Sequence, residues 1–264
     1  MYKQLGVLTL AVALLTGCST TGVSTQAIKA HAEELEHGNA HHHWDYHNHD
    51  TWGDIEVNKL CKIGQTQSPI NVAKVTDNSG KRTLDEYYSP EDFAVLNNGH
   101  TIAFNVVGQA QSHIVLDGVR YDLLQFHYHV PSEHTVMNAQ YPLELHFVHK
   151  NANDGLAVVG VLVNGGEYNP NLNKVLTNLP KYNKIDSKLL GFNVGSLMPS
   201  DKAVFNYEGS LTTPPCTEKV EWLLKNTPIT ADGTQLGTLA MLYNGNNRPV
   251  QPQGAREVSL IKTD

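Results

Sequence analysis

The sequence predicts a β-dominated α+β protein, a single domain built on sheet with a few short helices. Two observations carry this reading. The apolar runs are short and of strand length, at residues 101–107, 112–116, 123–130, 143–149, 156–163 and 220–224. Between them stand Asn98-Gly99, Asp117-Gly118, Asp154-Gly155 and Asn164-Gly165, dipeptides able to take the positive φ that a tight hairpin requires. Spacing near the helical period is confined to residues 171–179 and 235–242. There is no internal repeat and no second domain boundary, and 264 residues suit one large β-rich domain with appendages.

The N-terminal residues read as one such appendage. Residues 1–17 carry one early lysine, Lys3, and an apolar run over 5–15, shorter than the roughly 20 residues of a membrane-spanning helix but fitting the core of an export signal. The run ends in Leu15-Thr16-Gly17-Cys18, which resembles the lipobox of bacterial lipoproteins. The expectation is therefore export to the periplasm or cell envelope, with Cys18 lipidated as the membrane anchor. An ordinary cleaved signal peptide is the competing reading. Residues 18–43 are expected to form a tether, Ser/Thr-rich at first and His-rich at the end. His31, His37, His41, His42, His43, His47 and His49 make up half of the 14 histidines, without a spacing that would specify a coordination geometry. Metal capture for the domain and a solvated tether are both open readings of that tract.

The domain proper is expected over residues 44–264, from Trp44 where aromatic residues return. Setting Cys18 aside leaves Cys61 and Cys216, an even pair in a chain expected to mature where disulfides persist. They are expected to bridge, against the alternative of two buried free thiols. The formal charge of −7, with no cluster of Lys and Arg, argues against a nucleic-acid partner, because phosphate binding requires a basic face.

The chemistry is concentrated between Gln125 and His146. Gln125, His127 and His129 alternate with Phe126, Tyr128 and Val130, so a strand would present the imidazoles on one face and the apolar set on the other. Leu143, Leu145 and Phe147 alternate in the same way with Glu144, His146 and Val148. Paired side by side, about 4.8 Å apart, two such strands bring three imidazoles to one ion and leave a coordination position for water, the pattern of catalytic rather than structural zinc.

Taken together, Q-S-P-I-N from Gln67, N-N-G-H from Asn97, Q-F-H-Y-H from Gln125, S-E-H-T-V from Ser132, E-L-H-F-V-H from Glu144, G-S-L-T-T-P-P-C from Gly209 and R-P-V-Q-P from Arg248 resemble the α-class carbonic anhydrases of bacteria. The likeness runs from Trp44 to Lys262 with the blocks in the same order. It implies a fold around a large, mostly antiparallel twisted sheet. It also implies zinc-dependent, reversible hydration of carbon dioxide to bicarbonate and a proton by attack of zinc-bound hydroxide, carbonic anhydrase being itself the standard example of water acidified by zinc.

Carried over residue by residue, the resemblance implies one zinc ion per chain on His127, His129 and His146. Gln125 and Glu144 would hold the second nitrogens of His127 and His146, and a backbone carbonyl near Asn246 that of His129. Thr212 would orient the hydroxide, with Glu133 fixing Thr212. Val148, Val158, Leu211 and Trp222 would form the carbon dioxide pocket, with Thr213 near bicarbonate, and His100 would carry the proton out. His134 is set aside as structural and expected to face away; His113 and His149 are expected to be surface or structural. Dimerisation is an expectation by analogy with bacterial relatives. The alternative class is a non-catalytic, lipid-anchored zinc-binding protein on the same fold; a zinc peptidase would need the H-E-x-x-H motif that this chain lacks.

Overall fold

The structure is a computed structural model and describes residues 44–77, 81–180 and 186–262. The export signal, the Leu15 to Cys18 motif and the tether lie outside the described residues. Its strands are β1 (Asn71–Val72), β2 (Thr76–Asp77), β3 (Leu84–Tyr87), β4 (Glu91–Asn97), β5 (Ile102–Val106), β6 (His113–Leu116), β7 (Val119–His129) and β8 (Thr135–Val136). They continue with β9 (Ala139–Gln140), β10 (Leu143–Asn151), β11 (Leu156–Gly165), β12 (Asp186–Phe192), β13 (Val204–Ser210), β14 (Glu218–Lys225), β15 (Ile229–Ala231) and β16 (Ser259–Ile261). Among the described residues the α-helices are α1 (Leu60–Ile63), α2 (Pro170–Leu176) and α3 (Gly233–Leu242).

Among the described residues, 13 strands form one sheet whose main path runs β12-β4-β5-β7-β10-β11-β14-β13-β16-β2, and β1, β8 and β9 form a small second sheet. The large sheet is mixed but mostly antiparallel: β11 runs parallel to β14 and β15, and β16 parallel to β2. Each strand expected from an apolar run is present. The apolar runs do not cover the short β1, β2, β3, β8, β9, β15 and β16, nor the longer β4, β12 and β13, which carry polar residues at alternate or successive positions and so do not read as apolar runs.

The hairpin between β6 and β7 turns at Asp117 and Gly118, both at positive φ (50° and 79°), as its dipeptide predicts. Asn164-Gly165 behaves differently. β11 continues through these residues and pairs parallel with Thr230 and Ala231 of β15, so a neighbouring strand overrides the local turn preference. Helix α3 begins two residues before the expected start, because Asp232 accepts from the Gln235 backbone amide while the Gln235 side chain reaches back to the Asp232 amide.

The central pair β7 and β10 is antiparallel, with His127 opposite His146, Glu144 opposite His129 and Phe126 opposite Phe147. Period-two alternation then separates two apolar clusters. On one face, Phe104, Phe126 and Phe147 stack with centroids 4.4 and 5.6 Å apart inside the larger core. On the other face, Val148, Val158, Trp222, Tyr207, Leu224 and Ile70 form a second buried cluster, beside the histidines.

Candidate metal centre

His127, His129 and His146 each turn one ring nitrogen toward the others, all within 4.8 Å of one another. The remaining nitrogens are committed. His127 Nδ1 donates to Gln125 Oε1 at 2.9 Å, His129 Nδ1 to the Asn246 carbonyl at 2.6 Å, and His146 Nε2 to Glu144 Oε1 at 2.8 Å. These acceptors dictate the tautomers and leave His127 Nε2, His129 Nε2 and His146 Nδ1 with lone pairs facing one point. His129 Nε2 is buried without a hydrogen-bond partner, an arrangement that is costly unless something else occupies the nitrogen.

Burial, with the neighbouring imidazoles, holds His127 well below the usual histidine range, and burial takes His129 down to about 4 and lowers His146. Uncharged imidazole is the ligating form. Three neutral nitrogens with the second nitrogen of each anchored fit zinc. A second cluster, His134, Glu144 and His146, also brings potential ligand atoms within 4.8 Å, but its facing atoms are spent on one another in hydrogen bonds of 2.7 and 2.8 Å.

Glu144 is fully buried and accepts four hydrogen bonds: His134 Nδ1 and His146 Nε2 on Oε1, the backbone amides of Glu133 and His134 on Oε2. Burial alone would raise its pKa, but the two histidines overcome burial and hold the carboxyl well below the ordinary range. His134 therefore corrects an expectation. It does not face away; its ring lies between Glu144 and Tyr207, with Nε2 2.6 Å from the Tyr207 hydroxyl.

Glu133 is buried beside the centre, with Oε1 accepting from the Arg248 backbone amide at 2.8 Å. Its Oε2 lies 3.9 Å from His146 Nδ1 and makes no hydrogen bond of proper geometry. Burial pushes this carboxyl up to about 7 against the pull of His146, the Arg248 amide and the Thr212 hydroxyl. The Thr212 contact is thus a proximity rather than a formed bond, and a cation at the histidines would draw the pKa back down.

Thr212 sits in a loop closed by Leu211 N to Thr217 O (2.9 Å) and Cys216 N to Thr213 O (2.8 Å). Cys216 is bonded to Cys61, 155 residues away in sequence. Thr213 is half-buried in the same loop.

Val148, Val158 and Trp222 lie in register across β10, β11 and β14, and Leu211 packs against the cluster they form. One transverse row of the sheet thus places an apolar wall one pleat from the row holding His127 and His146. The latter row continues into Gly160, opposite His146, where a Cβ would come within 2.8 Å of Leu224 and 3.3 Å of Glu144 Oε1.

His100 lies on the loop between β4 and β5, its ring stacked on Trp44 at 3.7 Å and 7°. Asn98 Oδ1 accepts from the amides of His100 and Thr101, and Asn246, whose carbonyl holds His129, donates its side-chain amide to the His100 carbonyl at 3.3 Å. A cavity of about 150 Å³ adjoins it, lined in part by Asp45, His47 and Tyr243. His113 stacks on Tyr87, and His149 is buried. Sequence reading missed Ser68, Tyr207 and Asn246 as side chains around the centre. Ser68 and Tyr207 are 139 residues apart, and no local pattern pairs them.

The chain matches the family described as eukaryotic-type carbonic anhydrase over residues 47–262. A carbonic anhydrase of Neisseria gonorrhoeae is 38% identical over 228 residues, covering 84% of this chain and 89% of that protein. One from Klebsiella pneumoniae is 37% identical over 222 residues, 82% of this chain and 90% of that protein. A solved α-carbonic anhydrase of Thermovibrio ammonificans, in complex with the inhibitor sulfanilamide, matches with a TM-score of 0.77 at 38% identity, covering 82% of this chain and 98% of that one.

Proposed function

Because this chain belongs to the α-carbonic anhydrase family, we propose that it hydrates carbon dioxide reversibly to bicarbonate and a proton, with zinc held by His127, His129 and His146. The observation that carries the reading is the set of three inward lone pairs, each imposed by an anchored second nitrogen. When bound, zinc supplies a Lewis acid that makes water nucleophilic at neutral pH.

The remaining roles belong to the protein. That Glu133 Oε2 is buried without a partner, near the Thr212 hydroxyl, supports its taking the Thr212 hydroxyl hydrogen. The Thr212 oxygen then accepts a hydrogen bond from the attacking water and turns its lone pair toward the substrate. Val148, Val158, Leu211 and Trp222 offer a dry wall to carbon dioxide, which carries no charge and needs no polar partner. Thr213, half-buried in the loop that carries Thr212, contacts the bicarbonate as it leaves in this reading. His100 passes the proton to buffer, imidazole being the side chain whose unperturbed charge change falls near neutral pH.

Stopped-flow carbon dioxide hydration by the full chain, before and after zinc is stripped with a chelator, tests the proposal. Hydration lost on stripping and regained on adding zinc is the expected result. Chelator-insensitive hydration, or none with zinc bound, overturns it.

The His100 role has its own signature. In His100→Ala, kcat in weak buffer is expected to fall on the order of a hundredfold, the low end of what a positioned proton-transfer group contributes, with kcat/KM for carbon dioxide unchanged. Added imidazole should restore the rate. An unchanged kcat in weak buffer would remove His100 from the mechanism.

A further inference from the structure

We infer that His149 is an acid-sensitive latch in the larger core, an imidazole that packs β10 against the segment following β3 while it is uncharged and gives up that contact when it takes a proton. The inference does not depend on the metal assignment. His149 is 0% exposed, and among the described residues neither Nδ1 nor Nε2 has a hydrogen-bond partner. The backbone of Phe147 and Ala157 lies close to the ring without a bond of proper geometry. By alternation along β10, His149 stands on the face opposite to that of His146. It pairs with Ala157 of β11 and, just where the register shifts, with Leu123 of β7. Its ring is tilted against that of Tyr88, between β3 and β4, with centroids 6.1 Å apart.

A charge on this ring finds its neighbours already engaged. Asp122 of β7 and His113 of β6 are near enough to act on it, but Asp122 is bound to Arg120 at 2.7 Å, and Arg120 also donates to His113 Nε2 at 3.1 Å. Glu221 of β14, beside Ala157, is held by Arg82 and Asn206. Glu86 of β3 is bound to buried Lys225 at 2.6 Å. Burial and the Glu86 carboxylate hold the Tyr88 hydroxyl well above its usual range, so Tyr88 faces the imidazole uncharged. Burial therefore prevails and takes His149 down to about 4, against the pull of the Phe147 and Ala157 backbone and of Asp122. In the unfolded chain the ring returns to the ordinary value of about 6.5. The unfolded state thus takes the proton first, so the stability contributed by neutral His149 is complete above that value and is lost as the pH falls toward 4. Between pH 7 and pH 5 this one residue is expected to raise the unfolding constant roughly twentyfold.

Two measurements on the zinc-loaded full chain test the inference. In urea titrations, acidification from pH 7 to pH 5 should raise the unfolding constant of the wild type roughly twentyfold more than that of His149→Met, which fills a similar volume with a side chain that does not titrate. Metal release on acidification is common to both chains and cancels in the comparison. Equal pH dependence in the two, or a steeper one in the variant, overturns the latch. By NMR of the histidine rings in the wild type, His149 should stay neutral in the folded chain down to pH 5. A native His149 that titrates above pH 6 overturns the inference whether or not the variant folds.

Discussion

His129→Ala is expected to weaken zinc binding by more than the roughly 10- to 100-fold that loss of an outer-shell partner costs, and to reduce carbon dioxide hydration to background. His129 is the most committed of the three proposed ligands. It is fully buried, its Nδ1 donates to Asn246, and its Nε2 has no other partner. Removing the ring deletes one of three donors and opens a cavity that the surrounding strands cannot close, because Asn246 anchors the backbone on both sides through Tyr128 O and Val130 N. Competition against a chromophoric chelator reads the affinity directly. Wild-type affinity in the variant would show that the metal sits elsewhere.

Loss of the Cys61–Cys216 bridge has the second largest expected effect. The bond closes a separation of 155 residues, and the chain-entropy relation puts its stabilisation at about 5 kcal/mol as an upper figure. At roughly 2 to 4 °C per kcal/mol for a domain of this size, Cys216→Ser should melt about 10 to 20 °C lower. Local consequences accompany the global one. Cys216 O accepts from Gln67 Nε2, and Cys61 O from Arg248, whose backbone amide holds Glu133. Activity should therefore fall further than zinc content as the Thr212 loop loosens. Thermal melting with parallel zinc analysis checks both parts, and a variant with wild-type melting would refute the stabilising role.

The strands carrying the centre were legible because their information is local. Alternation of Gln125, His127 and His129 with Phe126 and Tyr128 places the imidazoles on one face whatever surrounds them. The turn at Asp117 and Gly118 was legible for the same reason: those residues accept positive φ. Asn164-Gly165 carried the same local signal, yet its backbone groups found partners in β15 and the strand continued. His134 was misread because alternation holds along a strand, and β7 ends at His129. Beyond that point the chain turns through Ser132 and Glu133, and adjacency no longer predicts facing.

Sequence by itself thus determined the class of the fold, the three imidazoles with Gln125 and Glu144 beside them, and, through the family blocks, the candidate roles of Glu133, Thr212 and His100. Tertiary structure alone decided which nitrogen of each imidazole is bare, because the Asn246 carbonyl that sets the His129 tautomer lies 117 residues away. It also decided that Val148, Val158 and Trp222 share one row, and that hydrogen bonds through Tyr207 and Ser68 link His134 to Ser210, two residues before Thr212. The physical reason is the same in each case. A pleat is a property of consecutive residues, whereas a hydrogen bond across the sheet depends on register, and register is settled only when every strand has found its neighbour.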